Sequence, residues 1–164
     1  MQQFKLVLLL AIISFIMACK QEPSAPATPP PPAKSDPHSF ARPDLAVAKH
    51  LDLNLKVDFE KKILTGTAAW TIENPGKVRE IIFDTDNIDI QKITLGKEGK
   101  EAKFFLVAPD SVLGSALRVA IEPTTDFVTI HYATRPDAAA LGWMEPSMTF
   151  GKKLPFLFTQ GQAI

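Results

Sequence analysis

Hydrophobic and polar positions alternate with a two-residue period along much of the chain after Lys49. In His50-Leu-Asp-Leu-Asn-Leu-Lys-Val-Asp-Phe59 the alternation has no miss. Successive strand side chains point to opposite faces, so Leu51, Leu53, Leu55, Val57 and Phe59 are expected inward and the charged groups outward. Burying five such side chains would contribute roughly 1.5–3 kcal/mol each, before conformational entropy is counted. Glu60-Lys61-Lys62 should turn the chain, and residues 63–73 should return as a β-branched strand through Trp70. Asn74-Pro75-Gly76 reads as the next turn. Residues 79–83 and 88–95 are expected to pair around Asp84-Thr-Asp-Asn87, with further short strands over 104–107, 117–121 and 127–132. A short helix of a turn or two is expected over residues 137–143, where three alanines precede Leu141. Short strands at regular spacing, without an internal repeat, are the signature of a sandwich or sheet stack. The expected fold class is all-β, with stacked, mostly antiparallel sheets.

The last eleven residues, Leu154-Pro-Phe-Leu-Phe-Thr-Gln-Gly-Gln-Ala-Ile164, read as an apolar strand that turns polar. The two-residue period lines up Phe156, Phe158, Gln160 and Gln162 on one face, with Leu157, Thr159, Gly161 and Ala163 on the other. The two amides then stand about 7 Å apart, at about 3.3 Å per residue. Gly161 between them has no side chain, so a backbone or a ligand can approach closely. A Gln carbonyl accepts hydrogen bonds and suits the ammonium of a peptide N-terminus. Two solvated amides at a strand end account for the same letters.

Upstream the pattern is different. Met1 to Lys5 carries one positive charge, and residues 6–17 are apolar apart from Ser14. That run is too short to span a bilayer as a helix, which takes about 20 residues, but it suits the core of a signal peptide. Ile16-Met17-Ala18-Cys19 resembles a bacterial lipobox, which implies cleavage before Cys19 and a lipid on its sulfur. Residues 1–18 are thus expected as a lipoprotein signal peptide. Residues 19–44 are expected as a lipid-attached linker, with prolines at 29–32, 37 and 43, and residues 45–164 as the β domain. Proline-rich stretches of this kind bury too little apolar surface to fold and favour extended chain. The expected location is the bacterial cell envelope, lipid-anchored, with Lys20 after the Cys giving a preference for the outer membrane. Removing residues 1–18 takes away one charge, Lys5, and turns a formal net charge of zero into −1. No basic excess points to nucleic acid. The single Cys excludes an intramolecular disulfide framework or a thiolate zinc cluster.

The letters Ala140-Leu-Gly-Trp143, Pro146, Thr149-Phe-Gly-Lys152 and Pro155 through Ile164 resemble the leukotriene-hydrolase-like branch of the M1 zinc aminopeptidases. Asp58-Phe59, Leu64-Thr-Gly-Thr-Ala-Ala69 and Phe83-Asp-Thr85 fit the same pattern. The resemblance runs from Lys49 to Ile164 and is loose between Gly96 and Val112. It implies the saddle-like N-terminal β domain of that family, incomplete and truncated before the catalytic domain. It also implies that Gln160, Gln162 and Ala163 line the active site and hold the amino end of peptide substrates. Gln162 matches the position where most M1 aminopeptidases carry Glu, whereas Gly161 departs from the bulkier residue common there.

The family holds zinc through His-Glu-x-x-His on a helix and a distant Glu. His38, His50 and His131 are followed by Ser, Leu and Tyr, and none has a second His four residues on. The resemblance therefore implies zinc in the intact enzyme, but no catalytic residue and no metal ligand is assigned within this chain. Pro155 to Ile164 is expected to be left as an unpaired or weakly paired apolar strand, the later strands of the domain lying beyond Ile164. A second class of function fits the same letters: a self-contained, surface-anchored β-sandwich lipoprotein that binds peptides or partner proteins without catalysis.

Overall fold

The computed structural model describes residues 36–161. Cys19, Gln162 and Ala163 lie outside them. Ten strands form among the described residues: β1 (Val47–Asp58), β2 (Ile63–Glu73), β3 (Glu80–Thr85), β4 (Ile88–Leu95), β5 (Lys100–Glu101), β6 (Phe104–Leu106), β7 (Ser115–Ala120), β8 (Phe127–Thr134), β9 (Leu141–Met144) and β10 (Phe156–Thr159). All the pairings are antiparallel. The sheets have the orders β1-β2-β8-β4-β5, β3-β7-β6 and β10-β9.

The β1–β2 hairpin follows from the sequence. Asp58 accepts the backbone N–H of Lys61 (2.9 Å), and Lys62 takes a left-handed conformation to close the turn. Gly66 faces Leu55 across the ladder. A Cβ at Gly66 would stand 1.9 Å from the Asn54 carbonyl oxygen, so no larger residue fits there. After β2, Asn74 holds its turn in both directions. Its amide donates to the Val78 carbonyl and accepts from the Val78 N–H, each at 2.9 Å.

The core lies between the five-stranded and three-stranded sheets. Leu64, Ala68 and Ile72 of β2, Ile93 of β4, and Val128 and Ile130 of β8 supply one side. From the other side come Ile81 and Phe83 of β3 with Leu117 and Val119 of β7. Trp70 and Phe83 touch across the two sheets, with ring centroids 5.6 Å apart. Face-to-face packing of sheets places alternate residues of each strand inside, and β3 shows that alternation at Ile81, Phe83 and Thr85.

Four expectations are corrected. β3 and β4 do not pair; β3 joins β7 in one sheet and β4 joins β8 in the other. The link Asp86-Asn87, with Asn87 at φ 49°, carries the chain from one sheet to the other rather than folding it back on itself. Residues 137–143 form no helix. Ala138 and Leu141 donate backbone hydrogen bonds to Arg135 and Ala138, making successive turns, and Leu141 already opens β9. The apolar face of β1 is only partly buried: Leu51 and Leu55 are half-buried, whereas Leu53 is 55% exposed, Val57 40% and, just past the strand, Phe59 41%. β1 has one neighbour, β2, among the described residues. Finally, Phe156–Thr159 is paired along its length, with Leu141–Met144.

Residues 38–46, which composition groups largely with the linker, are docked on β3. Ser39 donates its hydroxyl to Asp84 (2.6 Å), and the Phe40 N–H donates to the same carboxylate (2.9 Å). Ala46 sits in the core.

Candidate functional site

The segment that the sequence singles out begins on β10. In the β9–β10 ladder, Phe156 faces Met144, Leu157 faces Trp143, Phe158 faces Gly142 and Thr159 faces Leu141. The ladder continues one step further, because the Gln160 N–H donates to the Ala140 carbonyl at 3.0 Å. Gln160 is thereby placed at the end of a hydrogen-bonded strand, exposed, and followed by an exposed Gly161. A Cβ at Gly161 would meet no atom of the described residues within 4 Å.

Two contacts tie β9 to the β1–β2 turn. Trp143 meets Phe59 edge to face, with ring centroids 5.8 Å apart and planes at 85°. Lys62 Nζ lies 2.7 Å from Glu145 Oε1. Such a geometry suits the quadrupoles of the two rings, while the exposed ion pair adds little by itself. Trp143 Nε1 is buried and finds no acceptor among the described residues. Between β9 and β10 the chain makes two 3-10 turns, Pro146–Met148 and Phe150–Lys152. Thr149 clamps this loop by donating its hydroxyl toward the Pro146 and Leu154 carbonyls. The outer surface is apolar, with Met148, Phe150, Leu154, Phe156 and Phe158 all exposed.

No feature of the described residues fits the zinc that the family resemblance implies. They contain no group of three or more His, Cys, Asp or Glu placed to share an ion. His50 and His131 lie on β1 and β8, which β2 separates in the sheet, and His38 lies in a turn before β1. Sequence reading also missed a cavity of about 650 Å³ between β1, β2, β8 and β3. Leu51, Leu53, Trp70, Ile81, Phe83 and Tyr132 line it. Burial raises the pKa of the Tyr132 phenol, which stays protonated at neutral pH. The only sequence signal for this cavity was the apolar face of β1.

No family model matches the chain. Among curated proteins it is 32% identical to the leukotriene A-4 hydrolase of Xenopus laevis over 135 residues, 79% of this chain and 22% of that protein. It is 33% identical to leucine aminopeptidase 2 of Yarrowia lipolytica over 113 residues, 67% of this chain and 17% of that protein. Yeast LTA4 hydrolase in complex with bestatin superimposes with a TM-score of 0.69 at 27% identity, over 85% of this chain and 22% of the solved one. The native yeast enzyme gives 0.70 over the same shares. The chain thus spans about a fifth of the length of these relatives. Its sheets match the N-terminal domain of leukotriene A-4 hydrolase, and by sequence and fold together the chain belongs to the leukotriene-hydrolase-like branch of the M1 aminopeptidases.

Proposed function

We propose that this chain is the N-terminal part of a lipid-anchored zinc aminopeptidase that removes N-terminal residues from peptides outside the cytoplasm. Its contribution to the site is the Gln160-Gly161-Gln162-Ala163 segment. The observation that carries this reading is the position of Gln160. It is exposed at the end of the β9–β10 ladder, in a chain that is homologous to aminopeptidases over most of its described length. In the proposal the carbonyl oxygens of Gln160 and Gln162 accept hydrogen bonds from the substrate ammonium. A neutral amide pulls on that charge less strongly than a carboxylate would. The metal, the base and the oxyanion stabiliser are assigned to residues outside this chain, since its three histidines form no His-Glu-x-x-His. The anchor is assigned to Cys19, at the end of a tether that joins the domain at the docked residues 38–46.

The test is kinetic. In a protein that extends through the catalytic region, Gln162→Ala should lower kcat/KM for peptides with a free N-terminus by about 5- to 150-fold. Gln162→Glu should retain or improve it. Unchanged kinetics for Gln162→Ala would remove the residue from the site. Residues 1–164 alone should show no zinc-dependent turnover of an aminoacyl chromogenic substrate. The reading as a self-contained binding module has one observation in its favour, the apolar cavity beside Tyr132. Activity in the longer protein would count against it.

A further inference from the structure

The turn between β1 and β2 presents Phe59 to β9. Asp58 accepts the Lys61 N–H at 2.9 Å and Lys62 closes the turn in a left-handed conformation, so Phe59 stands at a hydrogen-bonded corner. Its ring meets Trp143 edge to face, with centroids 5.8 Å apart. An edge-to-face pair has a preferred angle as well as an apolar contact, so it restricts tilt and not only distance. Lys62 Nζ, 2.7 Å from Glu145 Oε1, holds the same corner to the end of the same strand.

Trp143 stands opposite Leu157 in the β9–β10 ladder. By the two-residue period, Leu141, Trp143, Leu157 and Thr159 share one face of this ladder. Gly142, Met144, Phe156 and Phe158 share the other, and Gln160 follows on it, its N–H bonded to the Ala140 carbonyl. Phe59 therefore bears on the back of the ladder, and Gln160 lies on its front. A hydrogen-bonded pair of strands moves as a unit. A change of tilt at Trp143 is carried across to Leu157 and along β10 to Gln160, about 10 Å further at about 3.3 Å per residue. Displacements of this kind matter, because misplacing a reacting group by about 1 Å can cost about 100-fold in rate.

We infer that Phe59 is a positioning residue: through Trp143 it sets the tilt of the β9–β10 ladder, and with it the direction of the Gln160 carbonyl toward the substrate amine. The inference rests on the proposed amine anchor at Gln160 and Gln162 and extends it to a residue that touches no substrate.

A double-mutant cycle in the protein that extends through the catalytic region tests it. Phe59→Leu should lower kcat/KM for peptides with a free N-terminus by about 3- to 30-fold, and Phe59→Tyr, which keeps the ring, should recover most of that. Phe59 is 41% exposed and lies outside the buried core, so the substitution spares the two-sheet packing. In a background carrying Gln160→Ala and Gln162→Ala, Phe59→Leu should change kcat/KM by less than about twofold, because no anchor is left to misplace. Hydrogen exchange at the Gln160 amide should speed up in Phe59→Leu, while the amides of β8 stay as protected as in the parent. An equal kinetic loss in both backgrounds, or an equal loss of protection in β8, would overturn the inference and leave Phe59 a stabiliser of the domain only. Unchanged kinetics in Phe59→Leu, with activity still lost when both amides are removed, would overturn it and leave the anchor standing. If removing both amides changes nothing, the anchor falls and this inference with it.

Discussion

The ring of Phe158 lies directly over Gly142, its partner across the β9–β10 ladder. A Cβ at Gly142 would stand 2.1 Å from two atoms of that ring. The absence of a side chain on β9 therefore sets where β10 lies and, two residues on, where Gln160 lies.

Gly142→Ala should push the ring aside and loosen β10, at a cost of about 1–3 kcal/mol for inserting a methyl group into a filled contact. Thermal unfolding measures the loss, and hydrogen exchange at the Gln160 amide should speed up with it. Adding Phe158→Ala to the variant should return part of the stability. If the Gly142→Ala amide stays as protected as in the parent, the ring is not the constraint.

Asp84 collects two hydrogen bonds from the segment that enters the domain, from the Ser39 hydroxyl and the Phe40 N–H. Asp84→Ala should lower stability by about 1.5–3 kcal/mol, the range for hydrogen bonds to a charged group. It should also expose residues 38–44 to proteases. Ser39→Ala leaves the Phe40 bond in place and should be milder. Equal protease resistance in all three proteins would mean that the segment is held by its apolar contacts alone.

The Asp110 carboxylate accepts the backbone N–H groups of Leu113 (2.9 Å) and Val112 (2.7 Å). These bonds, that from Leu113 first, hold its pKa below the ordinary carboxylate value. A depressed pKa stabilises the folded form above the unfolded pKa, and that contribution disappears as pH falls through the folded pKa. The loop 110–114 should therefore loosen below about pH 4, the usual Asp range. An NMR titration of the Val112 and Leu113 amides would follow it. In Asp110→Asn the same amides should show no such acid transition.

Export is testable at one atom. Expressed in a bacterium, the chain should yield a membrane-bound product that begins at Cys19 and carries lipid on its sulfur. Cys19→Ser should leave it unlipidated and unprocessed at that point. Intact mass of the membrane fraction reads both; a soluble parent still carrying residues 1–18 would sink the proposal.

Much of the fold is legible in local alternation, because each strand of a two-sheet core shows one face to the other sheet. β2, β7 and β8 fall where the pattern puts them, and the turn at Asn74-Pro75-Gly76 is written in its letters. Pairing between distant strands is not. Nothing in residues 79–95 distinguishes a hairpin from a crossing between sheets, since both need a short polar link and two apolar strands. Residues 137–143 carry helix-favouring alanines, yet pairing of Leu141–Met144 with β10 outweighs that local preference. The leucines of β1 alternate as core residues do, yet Leu53 stays exposed on a strand with a single neighbour among the described residues. Gln160 is singled out by the two-residue period and by its place in a family pattern, whereas the docking of Ser39 and Phe40 on Asp84 had no local signal at all.

The crossing at Asp86-Asn87 has a consequence in time. Because β3 and β4 part company there, β4 and β2 find their shared neighbour only in β8, which pairs Thr65 with Ala133 and Ile88 with Thr134. The β1–β2 hairpin can form early, but the sheet to which it belongs waits for residues 127–134. Contacts so remote in sequence must pay loop-closure entropy before they return any stability, which slows folding. A nascent chain stopped before Phe127 would hold every strand of the large sheet except the one at its centre, and would stay open until that strand arrived.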